Sequence, residues 1–179
     1  MRYSTGAIVL HWLIAILIAL NFAAAWVAED MPKAEAMQMM GNHKAIGITI
    51  LVLSLARIGW RLTHPAPAFA PTVKPWEALL ARITHGLLYV LMIAIPLAGW
   101  ATHSASTGGK PVSAFGLFAW PGLPMALDKA ATETFGELHE VLAIALLVLA
   151  GLHVLGALKH QFLNHDGNLG RMGIGRVKV

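Results

Sequence analysis

Cysteine is absent from this sequence of 179 residues, and Asp, Glu, Lys and Arg together make up only 12% of it. Without cysteine the chain cannot form disulfides, thiolate zinc sites, iron–sulfur clusters, a cysteine nucleophile or a covalent C-x-x-C-H haem attachment. A soluble domain carries about 25% charged residues, so the low charge excludes an ordinary soluble protein. A hydrophobic fraction of 57% excludes disorder. The composition therefore indicates a protein that is embedded in a lipid bilayer.

Four segments of about 20 mostly apolar residues predict four transmembrane helices. They cover about residues 7–28, 43–62, 82–102 and 137–160. The first is predicted to be a retained spanning helix and not a signal peptide, because its apolar run is too long and contains His11 and Trp12. The expected fold is an all-α, four-helix membrane bundle that forms a single integral membrane domain.

The connections between these segments differ in composition. Residues 63–76 contain four of the nine prolines and cannot form a helix interior. Residues 104–124 are rich in glycine and proline and contain Phe115, Phe118 and Trp120. This aromatic patch is typical of a segment at the lipid headgroups, and a hydrophobic plug over the end of the bundle explains it equally well.

Lysine and arginine are divided unevenly between the connections. The N-terminus, the second connection and the C-terminus hold nine of the thirteen Lys and Arg and only two of the nine acidic residues. Because cytoplasmic loops carry the excess of Lys and Arg, both termini are predicted to be cytoplasmic. The net charge of +4 thus reflects membrane orientation. A nucleic-acid partner is not expected, since no groove-reading module is present.

Six of the nine histidines lie in or at the edges of the predicted spans, where ionisable residues mark functional sites. They are His11, His43, His85, His103, His139 and His153. His139 and His153 are separated by about 21 Å along a helix and about 40° in rotation, so they project from one face near opposite membrane surfaces. In depth, His43 matches His139, and His11 matches His153.

Two imidazole pairs at two levels predict two stacked b-type haems with bis-histidine ligation, because imidazole is a common iron ligand. The residue one turn after each ligand is small, which leaves space for a porphyrin: Ala15, Gly47, Ala143 and Ala157. A zinc ion cannot join ligands about 21 Å apart, which leaves one histidine pair with a carboxylate such as Glu140 as the alternative zinc site. A lone histidine in a span is equally explained by a hydrogen bond between helices. A haem-free protein that handles protons or a metal ion is the remote alternative.

The other histidines are either alternative haem ligands or residues that are not expected to bind haem. His85 lies at about the depth of His11 and is the alternative ligand of the inner iron, and His103 is a weaker alternative to His43. Three more fall at or beyond the inner surface, where solvated or interfacial roles are expected: His64, His160 and His165.

The chain resembles the bacterial di-haem cytochrome b561 family nearly end to end. The similarity includes LHWL, GNHKAIGITILVLSLARIGWRL, ITHGLLYVLMIAIPLAGW and ELHEVLAIALLVLAGLHVLGALKHQF. This resemblance implies that His11 and His153 ligate one haem and that His43 and His139 ligate the other. It further implies a place in the bacterial inner membrane and electron transfer between the periplasm and the quinone pool.

Family members imply two kinds of reaction. The leading one is an oxidoreductase activity in which superoxide is oxidised and ubiquinone is reduced. The alternative is a cytochrome b subunit that relays electrons from a partner dehydrogenase, as similar subunits do for hydrogenases and formate dehydrogenases. The resemblance does not decide whether another periplasmic redox donor replaces superoxide or whether the protein forms a homo-oligomer.

Haem propionates are anionic and need nearby cations. The inner candidates are Arg57, Arg61 and Arg82, although the positive-inside signal alone also explains each of them. The outer candidate is Lys44, beside His43. Positive potential would also steer superoxide, but the predicted outer side holds four cations against seven acids and does not favour this donor.

Overall fold

The computed structural model describes residues 2–125 and 127–175. Arg176 and Lys178, which contribute to the predicted orientation, lie outside the described residues. The described chain forms four long helices: α1 (Thr5–Glu29), α2 (Lys33–Thr63), α3 (Pro75–Thr107) and α4 (Lys129–Phe162). Each is long and apolar enough to cross a membrane, which confirms the predicted four-helix membrane protein.

Three helices begin well before the predicted spans. α2 begins at Lys33 instead of 43, α3 at Pro75 instead of 82, and α4 at Lys129 instead of 137. Hydropathy detects only the part of a helix that lies in lipid. Local signals place the true starts: Pro75 occupies the first helical position, where its missing N–H is not needed, and Asp128 Oδ1 accepts the N–H of the third residue beyond it at 2.8 Å.

The connection between α3 and α4 contains an antiparallel hairpin of two strands, β1 (Val112–Ala114) and β2 (Phe118–Trp120). The all-α prediction therefore omitted these short strands. Val112 and Ala114 are buried, and β1 packs against α2. The tip residue Leu117 is 83% exposed. β1 thus packs against the bundle, while β2 and the apolar tip of the hairpin are largely exposed.

The helices pack unevenly around the bundle. α1 packs against α2, α2 against α3, and α3 against α4. Within the described residues, no Cα pair closer than 8 Å joins α4 to α1 or to α2. The backbone of α4 therefore stands apart from the backbones of α1 and α2 in the described chain.

A buried apolar layer crosses the middle of the bundle. Every helix contributes to it: Ile14, Ile50, Met92, Ile95 and Leu146. Leu146 lies midway in sequence between His139 and His153. The layer consequently separates the two histidine levels.

The start of α1 and the end of α4 lie at the same end of the bundle, which we call the terminal end; the opposite end is the hairpin end. After α4 the chain folds back through a short helix, α5 (Asn168–Arg171). Trp12 Nε1 donates a hydrogen bond to the Met172 carbonyl at 2.9 Å, and Tyr3 N donates to the Arg171 carbonyl at 3.2 Å. These bonds hold the C-terminal segment against α1.

Candidate haem sites

His43 of α2 and His139 of α4 face each other at the hairpin end. Their ring centres are 6.1 Å apart, with an angle of 79° between the ring planes. His43 Nδ1 lies 3.1 Å from the Asn21 carbonyl oxygen, and His139 Nδ1 lies 2.8 Å from that of Ile95. Because a carbonyl oxygen only accepts, both Nδ1 atoms carry the proton. Each Nε2 is then free to bind a metal, the usual arrangement of ligating histidines.

Gly99 of α3 allows the His139 ring to approach the helix backbone. A Cβ atom at Gly99 would lie 2.9 Å from His139 Nδ1 and 3.0 Å from Cε1, closer than ordinary van der Waals contact. Glycine inside a helix costs about 1 kcal/mol relative to alanine, and a close approach is one reason to retain it. Sequence patterns did not single out Gly99; its position inside an apolar helix was the available signal.

His11 of α1 and His153 of α4 form the second pair, at the terminal end. Their ring centres are 6.2 Å apart, with an angle of 81° between the planes. His11 Nδ1 is buried and has no hydrogen-bond partner in the part of the chain that the structure describes. This pair therefore lacks the backbone support that holds His43 and His139.

Both ring separations fit one metal ion held between two imidazoles. An ion about 2 Å from a nitrogen of each ring places the ring centres about 6 Å apart when the nitrogens lie on opposite sides of the ion. The pairs bridge α1 to α4 and α2 to α4, the helices whose backbones stay more than 8 Å apart in the described chain. Imidazoles that face each other between helices whose backbones stand apart fit haem ligation.

His85 of α3 lies close to the second pair but in a different geometry. Its ring centre is 5.1 Å from that of His153, about 1 Å less than a metal ion between trans nitrogens requires. Within residues 2–125 and 127–175, no three His, Asp or Glu side chains converge on a metal position. His85 is thus beside the pair without completing a three-ligand site.

The other histidines lie away from both pairs. His103 Nδ1 lies 3.3 Å from Lys44 Nζ. His64 stacks on Trp60, with ring centres 4.1 Å apart. His160, which was expected to be solvated or interfacial, has a side chain only 18% exposed and lies 2.7 Å from Asp166 Oδ2.

The cationic side chains named as propionate partners have different surroundings. The guanidinium of Arg57 lies over the Tyr89 ring, 5.4 Å from its centre, and among the described residues it forms no ion pair with a carboxylate. Arg82 lies over Phe69 of the second connection at 5.6 Å. Arg61 is exposed in the last turn of α2. Arg57 is therefore the half-buried cation of the three.

A buried acid at the start of α3 was also not predicted. Glu77 is 8% exposed; its Oε2 accepts the Lys74 backbone N–H at 3.0 Å, and its Oε1 accepts from Lys159 Nζ at 2.5 Å. The ion pair ties the start of α3 to the end of α4. The Pro75-Trp76-Glu77 order, with the acid in the first helical turn, was the available signal.

Four membrane-crossing helices with imidazole pairs at two levels define a class, the multi-pass membrane haem proteins. The chain belongs to the prokaryotic cytochrome b561 family, whose model matches residues 2–175. As a member of this family, it binds haem b and takes part in electron transfer.

Several curated relatives match almost the whole chain. Cytochrome b561 homolog 2 of Escherichia coli (strain K12) is 35% identical, over 96% of this chain and 90% of its own. The probable superoxide oxidase CybB of Yersinia pestis is 32% identical, over 96% of this chain and 95% of its own. Cytochrome b562 of Cereibacter sphaeroides is 30% identical, over 95% and 94%.

Proposed function

We propose that this protein is a di-haem b-type cytochrome that moves electrons across the bacterial inner membrane. His11 and His153 hold one haem, and His43 and His139 hold the other. The observation that carries the proposal is the pair of ring separations, 6.2 and 6.1 Å, across helices whose backbones are not in contact. Two such sites at opposite ends of the bundle suit transfer across most of the bilayer.

Bound haem supplies one-electron chemistry, while the protein supplies ligands, orientation and a low dielectric. The carbonyls of Asn21 and Ile95 orient the imidazoles of His43 and His139. The apolar layer in the middle of the bundle excludes water between the two levels. Arg57, unpaired with a carboxylate in the described chain, is placed to pair with a propionate at the terminal end.

The charge distribution supports an orientation with both termini in the cytoplasm. In the described chain, the terminal end holds seven Lys and Arg against two acids, while the hairpin end holds four against seven. Cytoplasmic segments carry the excess of Lys and Arg. The His43–His139 site then lies near the periplasm, and the His11–His153 site lies near the cytoplasm.

Superoxide as donor and ubiquinone as acceptor complete the proposed reaction. Two superoxide anions release two electrons and become two molecules of oxygen; one ubiquinone takes those electrons with two protons and becomes ubiquinol. The relative named probable superoxide oxidase supports this choice. Lys44 also supports it locally, because its ammonium group follows His43 in sequence and lies beside His103.

The net negative charge of the hairpin end favours a second candidate. Three more acids than cations repel an approaching anion at long range but do not hinder docking of a basic protein. A cytochrome b subunit that relays electrons from a partner dehydrogenase would use the same two sites. It would co-purify with that partner and would not react with superoxide.

The haem ratio of the purified protein tests the ligand assignment. We expect two haems per chain with bis-histidine b-type spectra, and one haem in His139→Ala and in His153→Ala. His103→Ala is the matched control, because it removes an imidazole from the hairpin end that lies outside both pairs, and it should retain two. A wild-type protein without haem would refute the proposal.

An experiment with superoxide then distinguishes superoxide oxidation from electron relay by a partner dehydrogenase. In liposomes that contain ubiquinone, an enzymatic superoxide source should reduce the quinone, and added superoxide dismutase should abolish the reduction. A protein that has two haems and does not respond to superoxide would favour the relay subunit.

A further inference from the structure

The two histidine pairs are supported in different ways. At the hairpin end, both imidazoles donate to backbone carbonyls. At the terminal end, neither His11 Nδ1 nor the His153 ring has a hydrogen-bond partner among the described residues. A histidine that binds a metal through one nitrogen has a proton on the other nitrogen, and that proton needs an acceptor. His153 therefore lacks the acceptor that Ile95 provides for His139.

His85 is the polar side chain whose ring adjoins His153. The ring centres are 5.1 Å apart and the planes are inclined by 68°. Two imidazoles joined by an N–H···N hydrogen bond of about 2.9 Å have ring centres about 5 Å apart. No hydrogen bond joins the two rings in the described chain, but their separation is the one that such a bond requires, and it is too short for an iron between them.

We propose that His85 positions His153 by accepting the proton of its non-ligating nitrogen, in the role that the Ile95 carbonyl has for His139. This inference depends on the proposed haem ligation by His11 and His153. A histidine side chain is otherwise unexplained at this depth of an apolar helix. The haem near the terminal end is then tuned by a side chain, whereas the other haem is tuned by backbone groups.

Removing the acceptor is expected to raise the redox potential of the haem that His153 binds. A hydrogen bond from the ligand to an acceptor raises ligand basicity, which favours oxidised iron. His85→Phe retains a ring of similar size and removes both nitrogens. We expect both haems to be retained and the oxidised-to-reduced equilibrium of one haem to shift about tenfold toward reduction, which is a rise of about 59 mV for a one-electron couple. The potential of the other haem should not change.

Optical redox titration of the full-length protein in detergent measures both potentials. His85→Gln retains an acceptor oxygen and should return the shifted potential toward the wild-type value. His85→Leu removes the nitrogens with a different shape, so a folding defect in the Phe variant does not decide the result. His103→Phe is the matched control and should leave the haem near the terminal end unchanged.

Three outcomes would overturn the inference. Unchanged potentials in the Phe and Leu variants would show that His85 does not act on His153. An equal shift of both haems would indicate a global effect. Loss of one haem in the Phe, Leu and Gln variants alike would identify His85 as an axial ligand. Failure of the proposed function is distinguishable from these results, because the wild-type protein would then contain no haem.

Discussion

Replacing Gly99 by alanine tests the requirement that the His139 ring lies against α3. The new Cβ would lie 2.9 Å from His139 Nδ1, whereas ordinary contact begins at 3.4 Å, so the ring must move by about 0.5 Å. That movement lengthens a hydrogen bond of 2.8 Å to the Ile95 carbonyl. Overpacking of this kind costs about 1–3 kcal/mol. Retention of the haem that we propose near the hairpin end should fall by about 5- to 150-fold.

Transfer of haem to excess apomyoglobin measures the retention of each haem in the purified protein. Gly86→Ala is the matched control, because it lies on the same helix and its Cβ would meet no atom within 4 Å. Both substitutions gain similar helix propensity, so the difference between them isolates the contact with His139. We expect the control to release both haems at the wild-type rate.

Two results for Gly99→Ala would contradict the requirement that the His139 ring lies against α3. If Gly99→Ala and Gly86→Ala release haem at the same rate and have wild-type potentials, then the position of His139 against α3 does not matter for haem binding. Faster release of both haems in Gly99→Ala alone would indicate general destabilisation of the bundle and would also refute the reasoning.

Other substitutions test separate parts of the structure. Arg57→Gln removes a cation from the terminal end. The redox potential of the haem proposed between His11 and His153 should therefore fall, by an amount equivalent to about 1 kcal/mol. An unchanged potential in a redox titration would contradict the proposed pairing of Arg57 with a propionate. Glu77→Ala should lower the melting temperature more than Glu133→Ala does, because Glu77 is the shielded partner of a half-exposed lysine, whereas both partners of Glu133's pair are exposed and that pair contributes less than about 0.5 kcal/mol; equal melting temperatures would contradict this difference. Lys44→Ala should slow superoxide oxidation and weaken its salt dependence, and unchanged rates would exclude local steering.

The sequence predicted the bundle well because lipid imposes simple requirements. A span of about 20 apolar residues is visible without tertiary information, and each predicted span lies within an observed helix. The helix starts were less predictable, since Lys33 and Lys129 lie in polar stretches outside the hydropathy signal. The hairpin was missed because two strands of three residues carry too short an alternation to identify.

The candidate sites were likewise predictable from the sequence only in part. Helical geometry alone placed His139 and His153 on one face of α4 at two depths. Depth matched them with His43 and His11 but left His85 as an alternative at the inner level. Which ring is supported by which group required the folded chain. Backbone carbonyls have no sequence signature, so Asn21 and Ile95 could not be recognised as acceptors.

The sequence by itself determined that this chain crosses a membrane four times and that its histidines lie at two levels, because hydrophobic length and helical periodicity are local properties. Only the tertiary structure decided that α4 stays apart from α1 and α2 while imidazoles face each other across the gaps. It also decided that Gly99 makes room for His139 and that His85 adjoins His153. These contacts join residues distant in the chain, and their distances depend on how whole helices pack.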